Sequence, residues 1–185
     1  MRAGLFQSIL TLLICIAPIA TSAEDIVIET FEEQPESRWR FFTDGVMGGV
    51  STGNVTFVQE DKQTHANMTG NVSTANNGGF IQIRLDLPDG AVKDAKGVRL
   101  IVRGNDQRYF VHLRTNGTVL PWHYFQAGFD VTEVWEEVRL PLNVFERSGR
   151  MLRAVPRAGG LTSVAVVAFG RDHRVDIDVR EIGFY

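Results

Sequence analysis

The feature that most constrains the fold of this chain is a regular alternation of apolar and polar residues. In residues 79–87, every second position from Ile81 to Leu87 is Ile or Leu. The same period of two recurs in residues 98–103, 108–114 and 175–180. This period places the apolar side chains on one face of a strand, as in antiparallel sheets that cover a core on one side only. We therefore predict strands with an apolar inner face and a polar outer face.

Further strand-like segments and glycine-rich turns extend this pattern along the chain. Strands are also predicted at residues 26–31, 38–42, 55–59, 66–72, 123–125, 135–140 and 164–169. No long segment has a helical period, and at most residues 143–151 are predicted to hold a short helical turn. Trp39 and Trp135 are interpreted as core residues. About ten strands without intervening helices predict an all-β protein, an antiparallel β-sandwich of jelly-roll type. We expect a single domain over residues 24–185.

Residues 1–23 have the layout of a cleavable secretory signal. Arg2 precedes an apolar run over residues 9–20, and small residues follow up to Ala23. A membrane-spanning helix needs about 20 apolar residues, so an uncleaved anchor is the less favoured alternative. We predict an exported protein, periplasmic or extracellular, with no membrane span after cleavage. The single cysteine, Cys15, lies within this signal, so the mature domain must depend on its hydrophobic core.

Composition and motifs argue against several classes of function. The chain has 19 Lys and Arg against 22 Asp and Glu, a net charge of −3, which provides no field for gathering nucleic acid. It has no Gly-x-Ser-x-Gly motif, and its histidines lack metal-ligand spacing. We predict no nucleic-acid partner, no metal, no cofactor and no catalytic residue, and we interpret the protein as a non-enzyme.

The first candidate binding surface is the glycine-rich segment 44–51. Its glycines permit left-handed backbone and close approach, while Asp44 and Ser51 can bond to their own turn. One interpretation is a rigid loop that presents Met47 to a partner. The other is a structural turn in which Met47 closes the open end of the sandwich. The partner-binding candidates here are Asp44, Met47, Gly48, Gly49 and Ser51, together with Asn77 in a second tight turn.

The second candidate surface is the polar face of the alternating strands. If these strands are neighbours in one sheet, they form a basic, partly aromatic face from Gln82, Arg84, Arg99, Arg103, Arg108, Phe110, His112 and Arg114. Aromatic rings beside guanidiniums suit sugars or an acidic protein surface. The alternative is a solvated face whose arginines pair with aspartates on adjacent strands.

An aromatic run at residues 122–125 indicates either burial on both faces or one face in a groove. The binding candidates of these two regions are Phe110, His112, Arg114, Trp122 and Tyr124.

These motifs, taken in order, resemble the complex I intermediate-associated protein family. The resemblance covers residues 27–185 and rests on Trp39, the string 44–51, Asn77 to Phe80, Arg103-Gly104, Tyr109, Arg114, Trp135, Pro141, Phe145 and Ile182 to Tyr185. It implies a galactose-binding-like jelly roll and a non-catalytic chaperone or assembly function through contact with a protein, such as a subunit of a membrane complex. The alternative function is carbohydrate or glycan binding through His112, Arg114, Trp122 and Tyr124.

Overall fold

Twelve strands pair into two six-stranded antiparallel sheets in the computed structural model, which describes residues 25–185. The predicted export signal, residues 1–23, lies outside the described residues. The strands are β1 (Ile26–Glu29), β2 (Trp39–Thr43), β3 (Thr52–Glu60), β4 (Gln63–Val72), β5 (Phe80–Asp86), β6 (Gly97–Gly104), β7 (Arg108–Thr115), β8 (Phe125–Asp130), β9 (Glu136–Pro141), β10 (Glu146–Arg147), β11 (Leu161–Phe169) and β12 (His173–Phe184). One helical turn, α1 (Pro35–Arg38), precedes β2.

The two sheets draw their strands from all parts of the chain. The first sheet has the order β3-β4-β12-β6-β9, with β1 also paired to β12. The second sheet has the order β10-β8-β7-β11-β5-β2. Consecutive strands such as β5 and β6 therefore lie in different sheets, and the chain crosses repeatedly between them. The prediction of an all-β jelly-roll sandwich is confirmed.

The core lies between the sheets and is filled by the alternating apolar residues of their inner faces. Ile83 of β5, Val111 of β7 and Ile177 of β12 are all fully buried. The central strand β11 differs because it is apolar on both faces. Its Val164 and Val166 belong to the core, while Ala165 and Val167 face outward and are nevertheless buried. Large side chains must therefore cover part of the outer face of the second sheet.

Two predictions of local secondary structure need correction. The strand predicted at residues 123–125 instead begins at Phe125 and runs to Asp130, because the small residues of this segment weaken its apolar pattern. Residues 143–151 hold the two-residue strand β10 and no α-helix; only a 3₁₀ turn at Leu142–Val144 precedes it.

Trp39 is buried as expected, and its indole N–H donates to buried Glu29 at 2.9 Å. Trp135 is not a core residue. It lies half-buried between the guanidiniums of Arg103 and Arg180, which lie 4.4 and 4.6 Å from its ring centre.

A membrane-spanning helix is not found among residues 25–185, where every helix is too short and too polar to cross a bilayer.

Candidate binding surfaces

The segment 44–51 is a tight turn at the end of β2. A single 3₁₀ turn, Asp44–Met47, starts where Thr43 accepts a hydrogen bond from the Gly45 N–H at 3.1 Å. Gly48 ends it with a φ of 88°, in the left-handed region that glycine adopts without strain. The Gly49 N–H then donates to the Asp44 carbonyl at 3.0 Å. The turn is therefore closed by its own backbone.

The carboxylate of Asp44 joins this turn to a second one. One oxygen accepts from the Ser51 N–H at 2.9 Å, and the other accepts from the Ser51 hydroxyl and from the N–H groups of Gly79 and Phe80. Asp44 is fully buried. Burial on its own raises the pKa of Asp44, but these hydrogen bonds outweigh it and hold the pKa below its usual value. We call Asp44 and these three partners the Asp44 clamp.

Two glycines are required by the Asp44 clamp. A Cβ atom on Gly49 would lie 2.2 Å from the Asp44 carboxyl carbon, and one on Gly78 would lie 2.3 Å from a carboxylate oxygen. Both distances are far below van der Waals contact, so neither position can hold a side chain while the clamp is formed. Asp44, Gly49 and Ser51 thus have a structural role here, and a partner cannot reach the buried Asp44 carboxylate.

The exposed part of the same loop is apolar. Val46, Met47 and Val50 are 71%, 61% and 48% exposed, and we call them the apolar tip. Met47 points into solvent and does not fill the end of the sandwich. Gly48 and Asn77 are also exposed, and Asn77 has a left-handed φ of 58°. Of the candidates from this region, Met47, Gly48 and Asn77 are therefore accessible to a partner.

The second predicted surface is smaller than the sequence pattern suggested. Arg99 and Arg103 belong to β6, which pairs with β12 and β9 in the first sheet, so they lie on the opposite side of the molecule. The remaining residues share the outer face of the second sheet, because β11 joins β7 to β5. Cross-strand register places Gln126, His112, Ala165, Arg84 and Arg40 in one row across this face.

Part of this face is covered by an aromatic cluster of Phe110, His112, Tyr124 and Phe169. The His112 and Tyr124 rings stack with centres 4.1 Å apart, and Phe169 meets His112 edge-on at 5.6 Å. His112 is only 8% exposed, and burial lowers its pKa to about 3, so its imidazole is neutral near pH 7. Its Nε2 has no hydrogen-bond partner among the described residues. His112 therefore packs beneath Tyr124 and is not itself an open contact.

Beside this cluster lies a wide-open surface cavity of about 520 Å³, which Arg114 borders two residues after His112 in β7. It is lined by Arg40, Arg84, Asp86, Arg114, Thr162 and Ser163, and we call it the arginine cavity. The guanidinium of Arg84 lies over the Phe42 ring at 4.8 Å, and Asp86 accepts a hydrogen bond from Arg40. Sequence reasoning missed Arg40, although Arg40 and Phe42 alternate with apolar residues in β2 as the outer-face residues of β5 do.

Arg114 and Trp122 are linked through the loop that precedes β8. Arg114 donates to the carbonyls of Thr118, Leu120 and Pro121 at 2.8, 3.0 and 2.7 Å, which holds this loop against the sheet. Trp122 follows the held segment and is 62% exposed. Arg114 is thus partly a structural residue, whereas the Trp122 side chain is accessible. Within residues 25–185, no group of three His, Asp or Glu side chains is placed to hold a metal ion.

A sequence model of the complex I intermediate-associated protein 30 (CIA30) family matches residues 29–173. The chain belongs to the CIA30 family. No curated protein sequence matches this CIA30-family chain.

Solved structures similar to this CIA30 domain include carbohydrate-binding modules. The family 11 module of the cellulosomal cellulase Lic26A-Cel5E of Clostridium thermocellum has a TM-score of 0.71 at 12% identity, over 89% of this chain and 95% of that one. The family 11 module from Clostridium thermocellum in complex with a β-1,3-1,4-mixed-linked tetrasaccharide gives 0.70 at 11% identity, over 89% and 96%. A family 30 module gives 0.52 at 11% identity, over 72% and 83%. At such low identity these likenesses establish the jelly-roll fold alone.

The CIA30 domain therefore has two separate candidate surfaces. The apolar tip stands on the turn that follows β2, above the Asp44 clamp. The aromatic cluster and the arginine cavity lie on the outer face of the second sheet.

Proposed function

We propose that this CIA30-family protein is a non-catalytic module that binds a protein partner, as an assembly factor or chaperone for a membrane complex. The observation that carries the proposal is the apolar tip, in which Val46, Met47 and Val50 are 48–71% exposed on a loop fixed by buried hydrogen bonds. Exposed apolar side chains on a rigid support are what a protein interface requires, since little ordering entropy is lost on binding. Burying Met47 in a partner would contribute about 1.5–3 kcal/mol.

The test of this proposal is capture of the partner with a matched pair of variants. Met47→Asp places a charge in the apolar tip. Met151→Asp makes the same change at a methionine that is 89% exposed and lies outside the tip. We expect crosslinking in the native compartment to recover a stoichiometric membrane-protein partner with wild type and Met151→Asp but not with Met47→Asp. Equal recovery by all three proteins would refute a role for the apolar tip.

We also propose that the protein is exported and acts outside the cytoplasm. The support is the order of charged, apolar and small residues in 1–23. Its partner would then be an outward-facing part of a membrane complex. N-terminal sequencing of the native protein should begin at Glu24, whereas a mature protein that retains residues 1–23 would contradict export by cleavage.

A second function, carbohydrate binding, is favoured by the aromatic cluster on the second sheet. Tyr124 and Phe110 are half-buried rings on an open face, beside an exposed Trp122, and such rings stack on the apolar faces of sugars. Glycan-array binding that is abolished by Trp122→Ala or Tyr124→Ala, without any protein partner, would favour this function over the first. A glycan array without any signal would refute carbohydrate binding.

A further inference from the structure

The arginine cavity differs in charge balance from the surroundings of Arg99 and Arg103 on the first sheet. On the first sheet, Arg99 contacts Asp25, Glu137 and Glu181, and Arg103 contacts Glu60 and Asp178. Each of those guanidiniums has at least two carboxylates. The arginine cavity is lined by three arginines and a single carboxylate, that of Asp86, which pairs with Arg40 and Arg84 but not with Arg114. The cavity therefore carries an excess of positive charge that the described residues do not neutralise.

Arg84 lies at the centre of this imbalance. Its Nε is buried and makes no hydrogen bond among the described residues, and the nearest Asp86 oxygen is 3.6 Å away. Burial, together with the neighbouring charges of Arg40 and Arg114, lowers the pKa of Arg84. The stacking on Phe42 holds the guanidinium in place. A buried donor without an acceptor is uncommon in folded proteins, where a water, an ion or another bound group satisfies it.

The chemistry of the cavity suits a carboxylate. Guanidiniums present their N–H groups in a planar fork that matches the two oxygens of a carboxylate. Arg40 is half exposed and Arg84 about one quarter exposed, so an incoming anion can reach both side chains. The site is an open depression of about 520 Å³ and not an enclosed pocket, so a ligand larger than a small anion can enter it from solvent.

The surroundings of the cavity favour a sugar as the carrier of that carboxylate. Half-buried Thr162 lines the cavity with a hydroxyl group that can bond to a sugar hydroxyl, whereas Ser163 is only 4% exposed. The aromatic cluster starts at His112, which lies in the same cross-strand row as Arg84, two strand spacings or roughly 10 Å away. An oligosaccharide can therefore place one unit in the cavity and rest the next on the Tyr124 side of the cluster.

We propose that the arginine cavity binds the carboxylate of an acidic oligosaccharide built from uronic acids. Arg40 and Arg84 hold the carboxylate, and the aromatic cluster supports the adjoining sugar ring. This inference rests on the carbohydrate-binding function proposed above and specifies its ligand as anionic.

The experiment is titration calorimetry of the mature protein with short oligomers of galacturonic, mannuronic or glucuronic acid. Each oligomer is compared with its methyl ester, which keeps the sugar and removes the charge. We expect at least one acidic oligomer to bind about tenfold more tightly than its ester, because charge-assisted hydrogen bonds are lost with the ester. Its affinity should also fall with added salt.

Variants locate the site. Arg84→Gln and Arg40→Gln should each weaken binding of that oligomer by about tenfold, and Arg40, being half exposed, can be replaced without unfolding the domain. Arg174→Gln, at an arginine that is 79% exposed on the first sheet, should leave the affinity unchanged.

The outcomes separate this inference from the function on which it rests. If neutral glycans bind as tightly as acidic ones, and Arg84→Gln and Arg40→Gln have no effect, the inference is overturned but carbohydrate binding still stands. Binding of acetate or phosphate alone, without any oligomer, would overturn it as well. Absence of binding by every glycan on the array and in the calorimeter would overturn both.

Discussion

The replacement Asp44→Asn is the sharpest test of how the signature loop is built. The best placement of the asparagine side chain keeps its carbonyl where one carboxylate oxygen accepts three hydrogen bonds, from the Ser51 hydroxyl and from the Gly79 and Phe80 N–H groups. Its NH₂ group then faces the Ser51 N–H, which donates to the other oxygen in wild type. One buried donor is left without an acceptor, and three charged hydrogen bonds become neutral ones.

The expected loss of stability follows from these changes. A buried donor without an acceptor costs about 1–3 kcal/mol, and hydrogen bonds to a charged group are stronger than neutral ones by about 1 kcal/mol each. Partial relaxation of the loop recovers some of this. We therefore expect Asp44→Asn to lower the free energy of unfolding by about 3 kcal/mol. Asp89→Asn, at an exposed turn residue, is the matched control and should change it by less than about 0.5 kcal/mol.

The assay is urea unfolding of wild type and both variants at several pH values. The hydrogen bonds to its carboxylate hold the pKa of Asp44 in the folded protein below its ordinary value of 3.8. The clamp therefore contributes its full stability above about pH 5 and loses it as the pH falls through the lowered folded-state pKa. The gap between wild type and Asp44→Asn should be constant from pH 5 to 7 and should narrow below pH 3.8. A gap under about 1 kcal/mol at pH 7, or one that does not change with pH, would refute the reasoning.

Three further predictions follow from buried contacts. Gly78→Ala should destabilise the protein by about 1–3 kcal/mol through its clash with Asp44, and by less in an Asp44→Ala background, which a double-mutant cycle measures. Burial lowers the pKa of His112 in the folded protein to about 3, so NMR should show a neutral ring down to about pH 5. Its contribution to stability falls as the pH drops from 6.5 towards 3. A titration midpoint near pH 6.5 in the folded protein would contradict its burial. Trp39→Phe should cost about 1–3 kcal/mol by urea unfolding, since buried Glu29 loses the indole N–H; a cost below about 0.5 kcal/mol would show that this hydrogen bond is unimportant.

The inner and outer faces of single strands could be predicted from the sequence, because a period of two is a local property of the chain. Ile83 and Val111 are buried and Arg84 faces outward, as the alternation in β5 and β7 predicted. The same alternation could not show which of the two sheets a strand belongs to. Arg99 occupies an outward-facing position in β6, as Arg84 does in β5. It nevertheless lies on the other side of the molecule, because β6 pairs with β12 in the first sheet.

The structural role of the glycine-rich segment 44–51 also could not be predicted from that segment alone. Asp44 and Ser51 were expected to bond to their own turn, and the Ser51 contacts agree with this. The bonds to Gly79 and Phe80 join segments that are 35 and 36 residues apart in sequence. The need for glycine at Gly49 arises from the Asp44 carboxylate beside it and not from its own backbone angle, so no pattern in residues 44–51 alone could show it.

The Asp44 clamp decides which variants can identify the binding surface. β2 carries Arg40 of the arginine cavity and leads, four residues later and within roughly 13 Å, to Asp44. Breaking the clamp can therefore disturb both candidate surfaces at once, and loss of binding by Asp44→Asn would not distinguish them. Met47 is 61% exposed and is not required for packing, and Arg40 is half exposed. Met47→Asp and Arg40→Gln change one surface each, so their comparison in the same protein partner and glycan assays assigns the function to one surface.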